Sequence, residues 1–483
     1  MQVLCQLNLN PDGKIELRVS CQESRVTDLI VIGGGLSGSE AAWQAAERGL
    51  SVDLYEMRPL KTTGAHNTDQ LAELVCSNSL GSSLIDRASG LLKEELRQLG
   101  SLLMRCAQDT ALPAGGALAV DREAFAQSVT RQIESHPLIR IIREEVTTIP
   151  AGLTVIASGP LTSESLTRSI QEWSGQDRLF FYDAIAPVVT SESINMEVAF
   201  RASRYGQGVQ AEGDYLNCPL NKEQYIEFVN SLRTAERISL RDFETDIHQG
   251  VRAGIEKFFE SCLPIEVIAE RSEQALAFGP MRPTGLTDPR TGRWAAAIVQ
   301  LRQDNLAGSL YNLVGFQTNL TFPEQRRVFH LIPGLENGEF VRYGQMHRNT
   351  FIASPVLLFP TLQSRQRSNL FFAGQITGVE GYMGNIATGL LAGVNAARVS
   401  KGLPPIELPL TTMLGALCRY ITSADMETFQ PMKANFGILP PPPMKLCGRK
   451  ERNKIYVGRA LQDIQGFLPD FSVQPAGQST YEP

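Results

Sequence analysis

The chain has 483 residues, of which 43% are hydrophobic and 20% charged, and carries a formal net charge of −6. That length suggests two or three domains with a large core; the composition is globular and argues against long disordered stretches, and the net acidity argues against a generally cationic nucleic-acid coat. No apolar run has membrane-spanning length and the N-terminus lacks a basic segment followed by an apolar one, so a cytoplasmic protein away from the membrane is expected.

In chain order, residues 1–26 read as an appendage. Ile15, Leu17 and Val19 alternate after the turn Pro11-Asp12-Gly13, the pattern of a small hairpin. From Asp28 the pattern becomes strand, glycine turn, helix, strand. Leu29 to Ile32 forms a buried parallel strand and is followed at once by Gly33-x-Gly35-x-x-Gly38. In such a turn Gly33 allows the tight bend, Gly35 lets the backbone approach a pyrophosphate and Gly38 lets helix and strand pack closely. The helix from Ser37 to about Arg48 aims its first amides at the phosphates, so the backbone of Gly34, Leu36 and Ser37 belongs to the same cradle. Val52 to Tyr55 forms the second strand and Glu56 stands at its tip, where a carboxylate accepts hydrogen bonds from ribose hydroxyls and repels a 2′-phosphate. A lone glycine motif is weak evidence; here strand, helix, second strand and acid are in register.

Further along, periodicity predicts helices near 90–106 and 121–135 and a strand at Leu153–Ala157 ending in Ser158-Gly159. The middle of the chain, with short strands, aromatics and prolines, reads as an inserted second domain. A strand at Asn369–Ala373 then runs into Gly374-Gln375 and Gly384, and a small-residue helix follows from Asn385 to Arg398. Prolines 440–443 form a stiff spacer. Beyond it, residues 445–459 hold six cations (Lys445, Arg449, Lys450, Arg452, Lys454, Arg459) and one acid, Glu451. The eight cysteines, at 5, 21, 76, 106, 218, 262, 418 and 447, include no CxxC pair. Neither a zinc site nor a redox dithiol is therefore expected, and each is by default a buried free thiol.

Two segments resemble the flavoproteins of the glutathione-reductase-like superfamily. Val155-Ile156-Ala157-Ser158-Gly159 is similar to their central return strand, and Phe371-Phe372-Ala373-Gly374-Gln375 to their second FAD fingerprint, with Gln375 in place of the usual Asp. The implied fold is α/β: an FAD-binding, Rossmann-like (glutathione-reductase-like) domain with an inserted α+β domain. The implied division is 1–26 appendage, 27–190 first part of the FAD domain, 191–335 insertion, 336–443 second part, and 444–483 basic C-terminal segment.

Six blocks narrow the resemblance: Ala65-His66-Asn67-Thr68-Asp69 with Glu73-Leu74-Val75-Cys76-Ser77-Asn78-Ser79; Leu112 to Arg122; Cys262-Leu263-Pro264-Ile265-Glu266; Gly279 to Pro283; Val341 to Thr350; and Gly378 to Gly384. Together they resemble the folate- and FAD-dependent tRNA (uracil-5-)-methyltransferase family, TrmFO, from about residue 28 to about 462. The resemblance implies methylation of the T-loop uridine 54 of tRNA to 5-methyluridine. It also implies 5,10-methylenetetrahydrofolate as carbon source, FAD as cofactor and NAD(P)H as reductant. The related flavoprotein MnmG shares the fold and the Glu380-Gly381-Tyr382 element, but it is longer and is not associated with the two cysteine-bearing blocks.

Methylating C5 of uracil needs an activated thiol that adds at C6 and an acid/base group for the C5 proton. Cys262 is assigned as the nucleophile and Cys76 as the proton-transfer partner, with the reverse order left open; Cys218 is a third candidate for which a structural role is favoured. Tyr343 and His347 are the candidates for support of the folate. His66 is a weaker one, because Asn67 stands where a second histidine is expected. Lys445, Arg449, Lys450, Arg452 and Lys454 are the candidates for tRNA phosphates, Tyr456 for stacking on a base, and Arg201, Arg204 and Arg252 are further cations. A non-catalytic FAD- and RNA-binding protein would have no need of Cys76 and Cys262.

Overall fold

The computed structural model describes residues 3–9, 15–21, 27–63, 65–176, 179–184, 186–210, 212–238, 263–344, 346–426, 429, 431–442 and 448–471. The glycine turn leaves the centre of a five-stranded parallel sheet. Its strand order is Leu370–Phe372, Thr154–Ile156, Leu29–Ile32, Val52–Tyr55, Ile139–Ile142. The three strands nearest the turn are rich in Leu, Ile, Val and Phe and almost wholly buried, as strands covered on both faces must be.

Two helices pack on this sheet in unusually close contact, Leu36–Glu47 and Tyr382–Ser400. A Cβ at Gly389 would lie 2.3 Å from the carbonyl oxygen of Ser37, and one at Gly393 2.4 Å from that of Ala41. The small-residue pattern of the second helix is thus what lets the two backbones touch. That helix begins at Tyr382 rather than after Gly384, because Gly381 at φ 83° turns the chain into it.

The predicted helix over 90–106 is two helices, Ala88–Gln98 and Leu102–Asp109. Gly100 adopts φ 77°, which ends the first, and the Ser101 side chain accepts from Met104 N–H to start the second. The helix Arg122–Ser135 is capped by Asp121 in the same way. The hairpin near the N-terminus is present as paired strands Val3–Leu9 and Ile15–Cys21.

A second, six-stranded sheet follows the order Phe200–Ala202, Tyr215–Leu220, Ala297–Gln303, Leu310–Leu313, Val188–Thr190, Phe340–Arg342, with antiparallel pairings. Its core is built on Phe228, Phe316 and Phe329. A three-stranded sheet, Ser79–Ser82, Ala117–Val120 and Ala111–Leu112, lies between the two bodies. Asn78 bridges them: its Nδ2 donates to Val120 O (3.2 Å) on one side and to Gln303 O (2.8 Å) on the other. The ion pair Arg122–Asp304, at 3.1 Å, does the same.

The basic C-terminal run opens a helix, Arg449–Phe471. Its apolar face, with Tyr456, Ala460 and Ile464, joins the core of the first body.

Candidate active site

The glycine turn forms one wall of an open cleft. Each glycine acts by a different constraint. Gly33 sits at φ 102°, and a Cβ there would strike Ala157 O at 2.6 Å. At Gly38 it would strike Gly33 O at 1.8 Å, so only glycine lets the helix start this close to the strand. A Cβ at Gly35 would meet nothing among the described residues within 4 Å, its chain neighbours aside; Gly35 lines the cleft. Leu36 and Ser37 line the same cleft, and Ser37 Oγ donates to Asn385 O at 2.9 Å, locking the two helices together.

Glu56 lines the cleft from the tip of its strand. Its Oε2 accepts Gly34 N–H (2.9 Å), and its Oε1 accepts Arg58 N–H (3.0 Å) and Nε–H (2.9 Å). Burial alone would raise its pKa, but the hydrogen bonds and charge of Arg58, with the Gly34 amide, outweigh that and hold the carboxyl below the usual range. Gly374, at φ 81°, is the close approach on the opposite side: a Cβ there would lie 2.1 Å from Ser37 Oγ. Gln375 lines the cleft and donates to Glu380 Oε1 at 2.8 Å. Gly384 lies inside the glycine-rich helix, where a Cβ would strike Val379 Cγ1 at 2.4 Å. Asn385, one turn in, lines the cleft, and its buried Oδ1 has no hydrogen-bond partner among the described residues. An open approach over Gly35, a buried acid at ribose distance along the motif, the positive end of a helix and an orphaned amide oxygen fit a dinucleotide.

The cleft and the cysteine block meet at Tyr382, which lines the cleft and is half-buried. Its hydroxyl accepts the backbone N–H of Cys76 (2.8 Å) and of Ser77 (3.2 Å). Burial first, and then the charge of Cys76, push this phenol well above its ordinary pKa, so it stays neutral. Arg122 grips the same loop through Leu74 O (3.0 Å) and Cys76 O (3.2 Å), and Arg302 Nε donates to Asn78 Oδ1 at 2.9 Å. Cys76 itself is half-buried.

Tyr382, Arg122, Arg302 and Asn385 were not singled out from the sequence. Tyr382 and Arg122 lie inside the quoted blocks, but Arg302 is an unremarked residue of a strand.

The other expected residues are spread. Cys262 and Lys445 lie outside the described residues, as does Arg252. His347 lies on the strand Met346–Phe351, opposite Asp183. Tyr343 does not line the cleft; its ring stacks with Phe322 (5.4 Å) and Phe340 (5.9 Å) on the second sheet. His66 does line the cleft, with Nδ1 2.6 Å from Thr63 Oγ1. Cys218 is a fully buried core residue, and burial pushes its thiol up to about 12.

Tyr456 is not free to stack on a base: it is buried and stacked on Phe436 at 5.5 Å. Arg204 is also spent internally, on Gln300 and Thr284 O, whereas Arg201 reaches Tyr311 Oη at 3.3 Å. Arg449 opens the C-terminal helix; Lys450, Arg452 and Lys454 are exposed on its first turns, and Arg452 lines an open groove with Arg87 and Lys433.

A family model described as glucose inhibited division protein A matches residues 28–404. The methylenetetrahydrofolate–tRNA-(uracil-5-)-methyltransferase TrmFO of Enterococcus faecalis is 55% identical over 435 residues, covering 90% of this chain and 97% of the relative. The chain belongs to the TrmFO family. TrmFO of Brevibacillus brevis, 54% identical over 442 residues, covers 92% of this chain and is itself covered to 98%. Among solved structures, Aquifex aeolicus GidA matches with a TM-score of 0.64 at 16% identity, over 92% of this chain and 74% of that one. That likeness shows a shared fold. Among the described residues no helix is long and apolar enough to cross a membrane.

Proposed function

We propose that this TrmFO-family protein methylates C5 of uridine 54 in the T loop of tRNA, in the cytoplasm, forming 5-methyluridine. The carbon comes from 5,10-methylenetetrahydrofolate, the cofactor is FAD and the reductant is NAD(P)H. The observation that carries the reading is the Tyr382 hydroxyl, which ties the Cys76 loop to the nucleotide cleft. Gly33 to Gly38 with Glu56, Gly374, Gln375 and Asn385 hold the FAD. When bound, FAD supplies the hydride chemistry that turns a methylene into a methyl group.

The chain's own residues do the rest. Cys76 and Cys262 form the thiol pair: one adds to C6 and makes C5 nucleophilic, and the other handles the C5 proton. The Arg122 and Arg302 guanidiniums around the Cys76 loop favour a thiolate there. His347 supports the folate, and Lys450, Arg452 and Lys454 bind tRNA phosphates. The target base is flipped out of the T loop, because its C6 is shielded in the stack.

The test is an assay on FAD-loaded protein with unmodified tRNA, methylenetetrahydrofolate and NADPH, read by nucleoside mass spectrometry. Folate-dependent 5-methyluridine is expected. A different modified uridine, or none, overturns the reading.

A further inference from the structure

Three guanidinium groups gather at the Cys76–Asn78 loop, and two of them are anchored in it. Arg122 holds Leu74 O and Cys76 O and pairs with Asp304; Arg302 holds Asn78. Arg342 does neither. It ends the strand Phe340–Arg342, and its Nε and Nη2 are buried without a hydrogen-bond partner among the described residues. Buried polar groups are almost always paired, and a charged donor left unpaired is the costliest case. A ligand that supplied the acceptor would remove that cost.

The surroundings say what that acceptor is. Arg342 feels Arg122, Asp304, Tyr382 and Cys76; Arg302 feels Tyr215, Asp304, Arg122 and Cys76. One carboxylate, already engaged by Arg122, stands against three guanidiniums. Burial, with repulsion from Arg122, lowers the Arg342 pKa to about 10, which leaves it charged at neutral pH. The place is positive, and Cys76 as a thiolate offsets only part of the excess.

We propose that Arg342 is a catalytic residue, the oxyanion site that donates Nε–H and Nη2–H to O4 of the target uracil. The inference rests on the covalent reading above. When the thiolate sulfur bonds to C6, the C5=C6 pair moves to C4–C5 and the C4=O4 pair moves onto oxygen. Arg342 stabilises that enolate while C5 becomes nucleophilic. The carbonyl re-forms as C5 bonds to the folate-derived one-carbon unit, or to a deuteron when folate is absent. Removal of the C5 proton by a base regenerates the enolate, and expulsion of the thiolate from C6 restores the C5=C6 and C4=O4 double bonds. The donors are in place before charge develops, which is how such sites lower a barrier.

The test is exchange of the uridine C5–H for deuterium in unmodified tRNA, in D2O without folate, which needs only thiolate addition and proton transfer. FAD-loaded wild type, Arg342→Gln and Arg342→Lys are compared, with tRNA Kd measured beside the exchange and methylation rates. Exchange and methylation slowed roughly a hundredfold or more in Arg342→Gln, with tRNA Kd within about twofold and part of the rate restored in Arg342→Lys, is the expected result. If Arg342→Gln fails to load with FAD, the lysine variant decides: it keeps the charge but not the fork, so slower exchange at unchanged tRNA affinity is still required. Wild-type exchange with an unaffected Arg342 variant overturns the inference alone. A variant that loses tRNA affinity but keeps its turnover makes Arg342 a phosphate clamp and also overturns it. No exchange in wild type overturns the covalent reading and this inference with it.

Discussion

The Tyr382 hydroxyl lies 2.8 Å from the backbone nitrogen of Cys76 and 3.2 Å from that of Ser77, and through these hydrogen bonds the helix that faces the nucleotide cleft positions the Cys76 loop. Tyr382 and Cys76 are 306 residues apart in sequence, so no local pattern announces the pairing.

Tyr382→Phe removes the acceptor of two N–H groups and leaves both unsatisfied. Each unsatisfied group costs on the order of 1 kcal/mol. Turnover is expected to fall about tenfold or more while the FAD content is retained, measured as kcat for 5-methyluridine formation at saturating folate. Unchanged kcat would show that the loop is held by Arg122 and Arg302 alone.

Gly389→Ala tests the close helix packing. Its Cβ meets backbone, Ser37 O at 2.3 Å, so neither partner can yield locally. The two helices must separate, and FAD retention and Tm should both fall. Gly458→Ala, on the C-terminal helix, where a Cβ would meet nothing among the described residues within 4 Å, is the control; it should raise stability by roughly 0.5–1 kcal/mol.

Glu56→Gln is expected to weaken FAD binding by about tenfold or more, since hydrogen bonds to a charged acceptor contribute about 1.5–3 kcal/mol. The sign with pH follows from the depressed pKa of the folded protein. The stability contributed by the carboxylate is complete above the unfolded value near 4.5 and is lost as pH falls through the lower folded value. The Tm gap between wild type and Glu56→Gln should therefore be open at pH 7 and close in acid.

Arg452→Ala, on the exposed first turns of the C-terminal helix, should weaken tRNA binding. If Arg452 neutralises one phosphate, the salt slope of log K should fall by about one unit. FAD content and folate KM should not change. The measurement is tRNA affinity across a salt series. An unchanged slope would mean that the groove it shares with Arg87 and Lys433 is a solvated surface.

The nucleotide half of the site is legible in the sequence because its constraints are local: Gly33, Gly35, Gly38 and Glu56 sit at fixed offsets on one strand–turn–helix–strand unit. The same holds for the break at Gly100-Ser101, which carries its own stop and cap although helical periodicity runs across it. The Cys76 loop is only half legible. Cys76 stands out by its block, but Tyr382 and Arg302, which hold its loop, arrive from a distant helix and strand, and no spacing encodes that. Tyr456 shows the opposite failure: a basic run with an aromatic reads as an RNA surface, yet one face of the helix it forms is core. Arg452 and its neighbours keep the other face.

The central claim is that this chain transfers a folate carbon to uridine with help from Cys76. The most direct measurement follows a 13C label from the methylene group of methylenetetrahydrofolate into tRNA nucleosides, with FAD-loaded wild type and Cys76→Ala side by side. The account predicts labelled 5-methyluridine at position 54 with wild type and none with the variant. Label that never enters the tRNA, or enters equally with both proteins, would contradict it.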